Sequence, residues 1–79
     1  MIDLKLGDLV TSVAGHDKND IYLIINIDGK FVWLADGKKR KLSNPKVKNH
    51  RHVKYVGEGG VELKDEQIAH LIKQIGKGR

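Results

Sequence analysis

The stretch Ile21-Tyr22-Leu23-Ile24-Ile25-Asn26-Ile27-Asp28-Gly29-Lys30-Phe31-Val32-Trp33-Leu34-Ala35-Asp36-Gly37 decides the fold. Ile21, Leu23, Ile25 and Ile27 alternate onto one face of an extended chain, and β-branched residues dominate, which is the pattern of a central strand. Asp28-Gly29 separates this run from Phe31-Val32-Trp33-Leu34-Ala35. Asp-Gly between apolar runs predicts a two-residue hairpin, in the type I′ geometry that needs positive φ at both central positions. The two runs should therefore pair antiparallel. A second pair, Asp36-Gly37, predicts another turn into Lys38-Lys39-Arg40-Lys41-Leu42 and puts that basic run on or beside a further strand.

Working outward, Gly7-Asp8 opens a first strand over Leu9 to Val13, and Ala14 to Asp20 reads as a loop. On the other side, Asn44-Pro45 marks a break, Lys46 to Arg51 is polar, and His52 to Val56 can form a short closing strand. Gly57, Gly59 and Gly60 make a connector over 57–60. Beyond it the period changes. Ile68, Leu71, Ile72 and Ile75 fall at i, i+3, i+4 and i+7, and predict a helix over about 66–75 with Asp65 as its N-cap, Glu66 at the positive end of its dipole and Gly76 as its stop. So short a helix does not persist alone in water, so its apolar stripe must pack across one end or an open face of the strands. The expected architecture is mainly β: a small barrel of about five strands over residues 6–57 with one C-terminal helix, in a single domain spanning 1–79.

At 79 residues the chain lies near the lower size limit for a self-supporting core. With no cysteine there is no disulfide framework, thiolate metal site or cysteine nucleophile. Met1-Ile2-Asp3-Leu4-Lys5 lacks the basic and apolar regions of a signal peptide, and no apolar run approaches the ~18 residues that span a bilayer. A cytoplasmic protein without a membrane partner is the expectation.

The formal charge is +5, and its distribution matters more than its size. Lys38, Lys39, Arg40, Lys41, Lys46, Lys48, Arg51 and Lys54 fall between Gly37 and Val56 with no acid among them, leaving seven bases against ten acids elsewhere. So localised a charge is the footprint of a phosphate-binding surface. On charge alone, a solvated edge that resists aggregation explains the run equally well.

The segment Gly7-Asp8-Leu9-Val10-Thr11-Ser12-Val13-Ala14-Gly15-His16-Asp17-Lys18-Asn19-Asp20-Ile21-Tyr22-Leu23-Ile24-Ile25-Asn26-Ile27 resembles a KOW motif: a Gly-opened strand, a central glycine (here Gly15), a lysine-containing turn and a second hydrophobic strand. Asn19 stands where the motif commonly has glycine, and asparagine tolerates left-handed backbone. Asp36 to Leu42 and Asn44 to Val53 further resemble the bacterial KOW-domain RNA-binding proteins, which are similar to KOW-bearing large-subunit ribosomal proteins of archaea and eukaryotes. The likeness covers about residues 7–56. It implies an SH3-like barrel, RNA as ligand, association with the ribosome or translation, and no cofactor. The residues expected at the RNA, in this reading, are Gly15, His16, Lys18, Lys38, Lys39, Arg40, Lys41, Lys46, Lys48, Asn49, His50, Arg51 and His52. Ribosomal RNA is the expected partner, with ribosomal proteins beside it, and the protein is expected to be a monomer off the RNA.

Other chemistries are poorly provided for. His50 and His52 would share a face if extended, but two imidazoles without a third ligand make a poor metal site. Asp17 with Asp20, and Asp65 with Glu66, are carboxylate pairs that loop solvation and helix capping explain, so no catalytic residues are assigned. Among Tyr22, Phe31, Trp33 and Tyr55, at least one of Phe31 and Trp33 is expected to be core, which favours phosphate and shape recognition over base stacking. The competing reading is an SH3-like protein-interaction module gripping an acidic partner segment, with the helix as a further docking face.

Overall fold

The structure, a computed structural model, describes residues 3–15 and 19–77. Five strands, β1 (Asp8–Ser12), β2 (Ile21–Asp28), β3 (Phe31–Ala35), β4 (Lys46–Asn49) and β5 (Val53–Glu58), form one antiparallel sheet in the order β4-β3-β2-β1-β5, and a helix, α1 (Asp65–Lys77), follows. The mainly β fold with one C-terminal helix is as expected. The barrel, however, is not closed. β4 and β5 are the two edges of the sheet and do not pair with each other. The sheet instead curls until Lys48 of β4 reaches Ser12 of β1, with Nζ donating to Ser12 Oγ and to the Ala14 carbonyl, both at 2.8 Å.

The sheet has two apolar faces, and a bulge in β2 switches the residues of that strand between them. Ile24 stands opposite Leu34 and Asn26 opposite Trp33, so Ile25 is an extra residue that inverts the alternation after it. Before the bulge, Ile21 and Leu23 join Leu9, Ala35 and Ile68 of α1 in a buried cluster, with Ile25, Leu42, Val61, Leu71, Ile72 and Ile75 packed around it. After the bulge, Ile27 lies with the opposite cluster of Val10, Tyr22, Ile24, Val32 and Leu34, joined by Leu4 and Val53. The expected single face thus holds for Ile21, Leu23 and Ile25 and fails for Ile27. Ile68 is fully buried, and its burial contributes about 1.5–3 kcal/mol toward holding α1 on the sheet.

Other expectations shift for local reasons. The β2–β3 hairpin pairs Asp28 with Phe31, so Gly29 and Lys30 are its turn residues. Gly29 has φ +59 and Lys30 is not left-handed, the signs of a type II′ turn rather than type I′. The fourth strand is Lys46–Asn49 and not Lys38–Leu42, whose first part is a bend at 37–40. β5 runs through Gly57, so the connector begins only at Gly59, whose N–H donates to the Gly7 carbonyl at 2.8 Å. α1 starts at Asp65 itself, its first hydrogen bond running from Ile68 N to Lys64 O, and it continues past Gly76. Phe31 is 42% exposed and Trp33 half-buried, so neither belongs to the buried core, where Tyr22 is the aromatic residue. The reason is alternation: Val32 and Leu34 take the inward positions of β3.

Candidate nucleic-acid interface

The basic residues that follow β3 sit on a loop with its own internal frame. The Asp36 carboxylate accepts from Lys38 N at 2.8 Å and Arg40 N at 2.9 Å, while Asp36 N and Gly37 N both donate to Arg40 O. One acid therefore organises four residues into a compact bend, an arrangement in which Asp replaces missing backbone partners. The bend is docked on the helix. Gly37, at φ +80, lies so close to α1 that a Cβ there would overlap the Asp65 carbonyl and crowd Ala69 N. Leu42 closes the other end of the loop, its N–H donating to Asp65 Oδ1 at 2.8 Å and its side chain packing in the helix-side core. Asp65 thus ties the loop to the helix rather than capping α1 as expected.

Lys38, Lys39 and Lys41 are exposed on this tethered loop, and Arg40 is half-buried. Beside them α1 contributes Lys73. Lys38, Lys39 and Lys73 line a cleft of about 260 Å³ whose other walls are Asp20, Ile21, Asp36, Ala69 and Ile72. Of the three lysines lining the cleft, Lys73 is not among the residues expected at the RNA from the sequence. Its signal was present: it follows Ile72, one step of about 100° around the helix from the apolar stripe, so it flanks whatever the stripe covers.

A second group gathers at β4 and the turn after it. Lys46 and Lys48 stand opposite Leu34 and Val32, so they lie on the concave face of the sheet and are half-buried. Lys48 crosses this face to Ser12 and Ala14, as described, which makes it a structural cation as much as a ligand contact. Asn49 caps a 3-10 turn at His50–His52, its Oδ1 accepting from Arg51 N at 3.0 Å. His50 N donates to Lys30 O at 2.9 Å, His50 is half-buried, and Arg51 and His52 are exposed. The turn also means that His50 and His52 are not held in an extended strand, and among the described residues no three His, Cys, Asp or Glu side chains gather where one metal ion could bind.

The β1–β2 loop lies between the two groups. At its start, Val13 N donates to His52 O at 2.9 Å and Ala14 O accepts from Lys48. At its end, Asp20 lines the cleft with Lys38, Lys39 and Lys73. Its neck is closed by Ser12 N to Asp20 O and Asn19 N to Ser12 O, at 3.0 and 2.8 Å. Gly15 and Asn19 have φ of +85 and +75, the left-handed backbone expected of both positions. His16 and Lys18 lie outside the described residues. The fold therefore brings Lys48 and His52 to the start of the loop, at Val13 and Ala14, and Lys38 and Lys39 to its end at Asp20. No protein-family model matches the chain, and a search of curated proteins finds no match.

Proposed function

We propose that this protein is a non-enzymatic RNA-binding module of the KOW type, acting in the cytoplasm on structured RNA and foremost on ribosomal RNA. Lys38, Lys39, Lys41 and Lys73 contact phosphates on one side of the β1–β2 loop, and Arg51 and His52 do so on the other. Lys48 and Asp65 hold the surfaces in place without needing to touch RNA. The observation that carries this reading is the placement of an acid-free basic segment as two groups flanking a loop that resembles the KOW turn. Lysines on a tethered bend lose less freedom on binding than lysines on a tail, so their electrostatic attraction is less offset by ordering.

Charge reversal at Lys38 and Lys39 tests it against a matched reversal at Lys5 and Lys64. The two double variants have the same net charge, and all four side chains are exposed. Titrated against purified ribosomal RNA, the Lys38→Glu/Lys39→Glu protein should lose at least about tenfold in affinity beyond the Lys5→Glu/Lys64→Glu protein. Equal losses would mean that only overall charge attracts RNA, and absence of binding by the unaltered protein would leave the protein-interaction reading.

A further inference from the structure

The outer face of β2, β3 and β4 carries an aromatic strip whose surroundings suit a nucleobase. Residues directly opposite in an antiparallel sheet share a face. Two rows therefore cross these strands on the face away from Val32 and Leu34: Asp28, Phe31 and Asn49 in one, Asn26, Trp33 and Val47 in the next. Phe31 is 42% and Val47 48% exposed, with Trp33 half-buried between them. The apolar strip is narrow and bordered by Asp28, Asn26 and Asn49. Three apolar side chains are too few for a protein–protein interface of ordinary size, but they suit a planar base with polar groups at its edges.

The charge around the strip selects the same occupant. Lys30 Nζ lies 5.9 Å from the centre of the Phe31 ring, within the range of a cation–π contact. The hydrogen bond from His50 N to Lys30 O holds the 3-10 turn, with its exposed Arg51, against the same hairpin end. The Lys30 ammonium lies over the ring and, on a flexible stem, can move to the phosphates that flank a base when the base takes its place there. Asp28 is the single acid in the two rows, and a carboxylate there accepts from base amino groups while repelling phosphate.

We propose that Phe31, with Trp33 beside it, is a stacking platform for an unpaired base adjoining the structured RNA held by the basic groups. The proposal rests on the RNA-binding reading and adds to it the class of RNA: structured elements that carry single-stranded nucleotides next to a helix. Neither ring can be dismissed as core filling, since both lie outside the buried clusters.

The test compares a blunt RNA hairpin with the same hairpin extended by unpaired adenosines. Trp33 is the only tryptophan, so its emission reports on this face alone. The unaltered protein should bind the extended hairpin roughly tenfold more tightly than the blunt one and lose Trp33 emission on doing so. Phe31→Ala and Phe31→Leu should each remove that advantage and leave binding to the blunt hairpin unchanged. The leucine variant keeps an apolar side chain, so a loss there is a loss of the ring. Equal affinity for the two hairpins with no change in emission would overturn the platform and leave the face to a protein partner, while the blunt hairpin alone reports whether RNA is bound at all. Unchanged preference for the extended hairpin in the Phe31 variants would equally overturn it.

Discussion

Gly37 and Gly29 share a left-handed backbone but differ in what surrounds them. A side chain at Gly29 would meet nothing within 4 Å, so Gly29→Ala is limited to the conformational cost of about 1–2 kcal/mol. At Gly37 the same cost adds to an overlap with the backbone of Asp65, which cannot swing aside as a side chain would. Gly37→Ala should therefore destabilise the fold by at least about 2 kcal/mol more than Gly29→Ala, read as the difference in urea-unfolding free energy. Similar losses for the two variants would show that the basic loop is not seated on the helix. Lys48 makes a related point about function. From sequence it is one more cation in a basic run, yet its ammonium joins β4 to Ser12 and Ala14, and nothing short of the curled sheet could reveal that.

Among the elements, the junction between α1 and the basic loop rests on one carboxylate. Removing it in Asp65→Ala leaves the Leu42 N–H without its partner in a half-buried place, which should cost about 1.5–3 kcal/mol of stability for a hydrogen bond to a charged group. RNA affinity should fall as well, because Lys38 to Lys41 lose their anchor. Asp65→Asn keeps an acceptor oxygen and should retain most of both properties. Denaturation and RNA titration of the two variants check this, and equal behaviour of alanine and asparagine would remove Asp65 from the account. The elements themselves were unevenly legible. β2 and β3 announce themselves through alternation and β-branched residues, and α1 through its period. β4 does not, since Lys46-Val47-Lys48-Asn49 offers one apolar residue to an alternation that needs several, and its partner β3 supplies the rest. The Ile25 bulge was hidden because Leu23-Ile24-Ile25 is apolar at every position and suits either face.

For the whole molecule, the proposed interface predicts a salt dependence. With about four to six phosphates neutralised, log affinity against log salt should slope at about −3 to −5, since each contact contributes about −0.7 to −0.9. A slope near zero in an RNA titration would remove phosphate contact as the basis of binding. The charge that suggests this was fully legible in the residues between Gly37 and Val56. Its division into two groups, and the enlistment of Lys73 from far along the chain, depend on how the loop docks on α1 and so belong to the folded state. The strand order has a consequence for how that state is reached. β1 through β4 are neighbours in the chain and can assemble as successive hairpins, but β5 must return to pair with β1, joining Ser12 to Val53 and Asp8 to Glu58. Closing so long a loop is entropically costly before any contact offsets it, so this pairing is expected to form after the local hairpins. On a translating ribosome, β1 has one side unpaired until β5 has emerged, whereas Lys48 can reach Ser12 and Ala14 as soon as β4 is out.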